Sequence, residues 1–199
     1  MIEPQLSPDD EVLIQGGGSL RFASASNERT THFHLGLGKK KWGFISSFTH
    51  SDYGDLRMGS FGPDEYLRSD YVLATDSGDV VLRNSDPQVQ RPTAYNQTSM
   101  LNKILYSPSE NWEIILGSIF STTSNYDRYD RLLQKRDSLP RSGKWEYGPQ
   151  LWTMNTLSIA HSKTSALYDG MMVRLAYQFF EESRIDRAFN SNTERERIE

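Results

Sequence analysis

The 199-residue chain is long enough for one sizeable core, yet only 36% of it is apolar, against roughly 45–50% for an average soluble domain, and 12% is aromatic. A formal charge of -4, from 22 basic and 26 acidic side chains with no like-charge block longer than Lys39-Lys40-Lys41, offers nucleic acid no basic stripe. The lack of cysteine excludes a disulfide framework, a thiol nucleophile and a thiolate zinc site, and no run of about 18 apolar residues supplies a membrane helix. Membrane β-strands escape that last test, because they alternate apolar and polar residues.

The glycines of "QGGGS", Gln15 to Ser19, lack the Gly-Lys-Ser/Thr of a phosphate loop and open a predicted strand, "GGGSLRFASAS" from Gly16. In "THFHLGLG" the apolar Phe33, Leu35 and Leu37 alternate with His32, His34, Gly36 and Gly38, which predicts a strand with one apolar and one small, polar face. His32 and His34 form a His-x-His pair of a kind that binds metal or haem iron, but the sequence places no third ligand, so no metal is assigned. "WGFISSFTHS" repeats the pattern, with Trp42, Phe44 and Phe48 set against Gly43, Ser47 and Thr49; Ile45 is the exception. "YNQTSMLNKILYS" from Tyr95, "NWEIILGSIFSTT" from Asn111, "QLWTMNTLSIAHS" from Gln150 and "GMMVRLAYQFFEES" from Gly170 complete the set. The fold class expected is all-β, an antiparallel up-and-down meander of about seven strands, each longer than the 5–6 residues usual in soluble sheets. Helical periodicity is weak; "RYDRLLQKRDSL" is the one candidate helix.

The connectors are unequal. If consecutive strands are antiparallel neighbours, residues 54–94, residues 124–149 and the tail 184–199 fall at one end, and the short "KKK", "PSEN" and "KTSALYD" fall at the other. Loops that long are uncommon in compact soluble domains, whereas short turns at one end and long loops at the other are the habit of outer-membrane barrels. Trp42 and Trp112 follow short turns, and Tyr53, Tyr95, Tyr126, Tyr129, Trp145, Tyr147 and Trp152 gather toward the long-loop end. Two interfacial girdles are therefore expected, with Trp42, Trp112, Tyr126 and Tyr129 as membrane-interface anchors.

No catalytic constellation stands out, and neither enzyme activity nor a cofactor is expected. Asp76, Asp79, Asn84 and Asp86 lack calcium-loop spacing. Glu181 and Glu182 are adjacent on a strand and point to opposite faces. The loop "NYDRYDRLLQKRDSLPRSGKWEYGPQ" sets Arg128, Arg131, Arg136, Arg141 and Lys144 beside aromatic rings. Tyr126, Arg128, Tyr129, Arg131, Trp145 and Tyr147 are the candidate substrate contacts, a mixture suited to anionic, aromatic ligands. The competing reading is that the arginines pair with Asp127 and Asp130 and stiffen the loop. A soluble β-sandwich that binds a ligand or carbohydrate would share the polarity and the aromatics.

The stretches "SDYGDLRMG", "STTSNYDRYDRL" and "WEYGPQ", in that order, together with "LAYQFFEESRIDR", resemble the early barrel region of TonB-dependent outer-membrane receptors. The match runs from about Gly18 onward, leaving 1–17 as a lead-in and 18–199 as partial barrel. The resemblance implies a 22-stranded transmembrane barrel around a plug, in the outer membrane of a Gram-negative bacterium. It also implies capture of an iron-siderophore, haem or cobalamin type of substrate, with uptake driven by TonB acting through the plug. Expected partners are outer-membrane lipid, the remaining barrel strands, the plug, TonB and an extracellular iron chelate or similar ligand. The chain carries no plug of its own on this reading, 184–199 is a cut-short surface loop, and the sheet is left with two unpaired edges.

Overall fold

In the computed structural model, which describes residues 3–7 and 11–199, the chain is 62% strand and 4% helix. Seven long strands carry the fold: β1 (Leu13–Ala23), β2 (Glu28–Lys39), β3 (Trp42–Tyr53), β4 (Tyr95–Tyr106), β5 (Trp112–Thr123), β6 (Leu151–His161) and β7 (Met171–Glu181). Each pairs antiparallel with the next, giving one open seven-stranded sheet with β1 and β7 at its edges. β1 begins at Leu13, ahead of the Gly16 at which the sequence pattern predicts the strand to start.

Register carries the alternation of each strand across the whole sheet. Leu37 lies opposite Phe44, then follow Ile104, Leu116, Leu157 and Leu175, one apolar row across six strands. A second row runs Phe33, Phe48, Met100, Phe120. On the other face, His32 is followed by Thr49, Ser99, Ser121, Trp152 and Phe180. Hydrogen bonds knit this polar face: His32 Nδ1 to Thr49 Oγ1 at 2.8 Å, and Ser99 to Ser121 at 2.9 Å.

The apolar face is bare. Leu20 is 84% exposed, Leu175 60% and Leu116 52%. It is the polar face that receives cover, because residues 3–7 lie across its short-turn end. There the Lys103 ammonium meets the Glu3 carboxylate at 2.7 Å, and the Gln15 amide donates to Gln5 Oε1 at 3.0 Å. Gly38 is required for this approach, since a Cβ on it would stand 2.2 Å from the Gln5 carbonyl oxygen. The exception in the β3 pattern is explained by the same strap: Ile45 and Leu105 point to the polar face but are buried where the strap covers it.

The long-loop end is built as ordered structure. Tyr126–Asp127, Ser142–Tyr147, Ser183–Ala188 and Glu194–Ile198 form a second, four-stranded sheet. The tail 184–199, expected as a cut-short loop, is therefore a hairpin paired with the 124–149 connector. Within 54–94, Asp70–Thr75 pairs with Gly78–Arg83. The candidate helix contracts to one turn, α1 (Tyr129–Leu132). Beyond it the chain turns through Asp137 and Ser138, both at positive φ, into the short pair Lys135–Arg136 and Leu139–Pro140.

Candidate functional site

At the loop end of the polar face, β4, β5, β6 and β7 enclose a cavity of about 830 Å³ lined by Tyr95, Gln97, Ser121, Thr122, Thr123, Tyr126, Gln150, Trp152, Gln178 and Phe180. All but Thr122 of the strand residues among them arrive there by parity: Gln97, Ser121, Trp152, Gln178 and Phe180 point to the polar face. Tyr126 closes one wall. Its phenol donates to the Glu182 carboxylate at 3.3 Å and accepts from the Gln150 amide at 2.8 Å, and the same amide also donates to Glu182. Burial, reinforced by the Glu182 charge, pushes the Tyr126 phenol up to about 12, so it stays a neutral donor at physiological pH.

Above the cavity, the Arg128 guanidinium lies 4.9 Å from the centre of the Trp145 ring and 5.8 Å from that of Tyr147. It donates to the Tyr147 hydroxyl at 3.0 Å and to Asp130 at 2.9 Å. Arg184 stands 5.8 Å from the same Tyr147 ring, and Tyr147 in turn packs on Tyr126 with ring centres 5.5 Å apart. Four of the candidate contacts, Tyr126, Arg128, Trp145 and Tyr147, are thus brought together as one cation–aromatic cluster on the rim. The pairing of Arg128 with Asp130 is the stiffening alternative, present alongside.

Tyr129 and Arg131 go elsewhere. Both lie on α1, where Tyr129 packs under the Arg68 guanidinium at 5.4 Å, and Arg131 Nε is buried without a hydrogen-bond partner among the described residues. Arg68 is 4% exposed and donates to the carbonyls of Arg91 at 3.1 Å and Leu132 at 3.4 Å. Its burial holds its pKa below the usual arginine value.

Of the expected anchors, Trp42 and Trp112 occupy the short-turn end of the apolar face, stacked on Tyr106 and His161 respectively, each at 4.3 Å. Tyr126 and Tyr129 do not join that face; one lines the cavity and the other packs against loop 54–94. Tyr53, Tyr95 and Trp152 likewise turn to the polar face rather than forming a second girdle. Trp42 and Tyr53 are the first and last of twelve residues in β3, so parity sends them opposite ways. The polar contributors Gln97, Gln150, Gln178 and Arg184 were not singled out in the sequence, and Glu182 was considered there only as half of a carboxylate pair; the signal available for Gln97 and Gln178 was their strand parity.

The 54–94 connector is locked to the tail hairpin. Arg187 clasps Asp79 with two bonds of 2.6 and 2.8 Å, and the Asn190 N–H donates to the same carboxylate at 2.7 Å. The Arg187 bond holds the Asp79 carboxyl below its ordinary range. Beside this lock is a cavity of about 360 Å³ lined by Arg68, Asp127, Lys144, Glu146 and Glu194 among others. Burial, with Glu146 and Asp55 adding to it and Lys144 opposing, pushes the Asp127 carboxyl up to about 7. Among the described residues no group of three or more acidic or imidazole side chains is placed to hold a metal ion. No protein family matches the chain, and neither a curated protein nor a solved structure matches it.

Proposed function

We propose that this chain is a wall segment of a TonB-dependent outer-membrane receptor for energised uptake of a scarce substrate of the iron-siderophore, haem or cobalamin type. The observation that carries the reading is the bare apolar face of a sheet whose strands are 11 to 12 residues long. At ~3.3 Å per residue and a tilt of ~40°, such strands rise about 27 Å, the height of the apolar band of an outer-membrane barrel. A soluble sandwich needs its apolar face covered by a second sheet. Here the strap and the cavity both occupy the polar face, where the interior of a barrel would be.

The two free edges call for further strands, and closure at 22 rests on the motif resemblance. Substrate capture falls to the loop end, where the Arg128–Trp145–Tyr147 cluster offers cation and ring faces to an anionic, aromatic chelate. Extraction tests the reading: the chain stays with membranes through an alkaline wash and leaves only in detergent. Recovery as a water-soluble monomer with one cooperative unfolding transition would establish the soluble sandwich instead.

A further inference from the structure

The apolar face carries polar residues toward the loop end, Thr31, His50, Thr98 and Thr122, and a further polar row deeper in the sheet. Between the two apolar rows already described, Ser46, Asn102, Ser118 and Asn155 lie opposite one another on β3, β4, β5 and β6. Ser46 Oγ donates to Asn102 Oδ1 at 2.8 Å. The amide group of Asn102 and the side chains of Ser118 and Asn155 make no hydrogen bond with the described residues. Ser118 and Asn155 are exposed. The row sits four to six residues in from the short-turn ends of its strands, as the positions of Trp42, Tyr106, Trp112 and His161 show. On the membrane reading, on which this inference rests, that is the hydrocarbon interior, where an amide without a partner is costly. A groove of about 400 Å³ opens along the same row, flanked by Leu116, Leu157 and Tyr177.

We propose that this row is a docking surface for a second copy of the chain within the membrane. Two copies inserted in the same sense are related by a two-fold axis along the membrane normal. Such an axis preserves depth and reverses the order of strands around the wall. The row Ser46-Asn102-Ser118-Asn155 of one copy then meets the same row running backward, so Ser46 faces Asn155 and Asn102 faces Ser118. Every hydroxyl is set against a carboxamide, and each supplies the donor or acceptor the other lacks. The adjoining leucine and phenylalanine rows close over the contact from above and below.

The absence of native cysteine allows a clean test with single-cysteine variants of the full chain in lipid vesicles. Ser118→Cys lies beside the axis, and treatment with a short bifunctional maleimide yields dimer. Leu20→Cys, on the same face but on the edge strand β1, does not. Adding Asn155→Leu to Ser118→Cys lowers the dimer yield at least about tenfold, while Asn155→Gln, which keeps both hydrogen-bonding functions, restores it. Equal cross-linking of Leu20→Cys and Ser118→Cys means edge pairing and overturns the proposal, as does a yield that Asn155→Leu leaves unchanged. Leu35→Cys separates the two levels of the argument. If it is shielded from a water-soluble maleimide while Ser118→Cys gives no dimer, the docking surface fails and the membrane reading stands. If it reacts as fast as a loop cysteine, the membrane reading itself fails.

Discussion

The Asp79–Arg187 clasp ties the hairpin of residues 70–83 to the tail hairpin, and removing its cation has a calculable consequence. The Asp79 side chain is 1% exposed and that of Arg187 14%, so Arg187→Met leaves a sealed carboxylate with the Asn190 N–H as its remaining partner among the described residues. Breaking a buried pair from one side costs about 3–5 kcal/mol. The lower end applies here, because Asn190 still donates and the guanidinium already reaches some water. About 3 kcal/mol corresponds to an opening equilibrium shifted on the order of a hundredfold toward undocking. Amide hydrogen exchange in the Asp70–Thr75 and Gly78–Arg83 ladder reads this directly, with protection falling by that factor in Arg187→Met. The native clasp also fixes a pH dependence: because the Asp79 pKa is lowered, its stabilisation is in place above about pH 4 and is lost as pH falls through the lowered value. In Arg187→Met that acid-side loss of protection disappears. Exchange within about twofold of the native chain, with the acid limb intact, would refute the reasoning.

Other consequences follow from the same geometry. Gly143→Ala places a Cβ 2.1 Å from Asp79 Oδ2 and 2.9 Å from Arg187 Nη2, so it opens the same clasp, and limited proteolysis nicks residues 70–83 faster than in the native chain. Asp127 has a raised pKa, so its contribution to loop stability is complete below about pH 4 and is lost as pH rises through about 7; Asp127→Asn removes that decline, seen as flat exchange protection of residues 142–147 between pH 5 and 8. Leu116→Arg on the bare face costs about 2–4 kcal/mol in lipid-vesicle unfolding, against less than about 0.5 for a water-exposed site. If the rim cluster captures an iron chelate as proposed, Arg128→Ala weakens binding of a ferric catecholate probe, measured by tryptophan quenching, by about tenfold, the loss of one charge-assisted contact.

The meander was legible because β2, β3 and β7 are strongly periodic, with the other four strands less purely so, and side chains in a strand have only two directions to take. Phe33, Leu35 and Leu37 announce β2 without help from any neighbour. Ile45 was not legible, since its burial comes from residues 3–7, far away in sequence. The unequal connectors could be counted, but not their internal pairing: nothing local in "RIDRAFNSNTERERI" says that Ser183–Ala188 will bond to Ser142–Tyr147. The same limit split the candidate site. Arg128, Trp145 and Tyr147 meet because Tyr126–Asp127 pairs antiparallel with the end of the Ser142–Tyr147 strand, a long-range register. Tyr129 and Arg131, adjacent in sequence, are carried away on the helical turn. Aromatic rings near strand ends were easy to find, but whether each serves the apolar face or the cavity depends on parity within its strand, which is where Trp42 and Tyr53 part.

Scanning single cysteines along residues 32–37 of β2, each carrying a polarity-sensitive fluorophore in vesicles containing brominated lipid, tests the central claim most directly. The account requires labels at 33, 35 and 37 to be quenched by the lipid and shielded from aqueous iodide. Labels at 32, 34 and 36 then show the reverse, in strict alternation. Equal access of iodide to all six positions, or an alternation of opposite phase, would contradict a sheet that faces lipid with its bare apolar side.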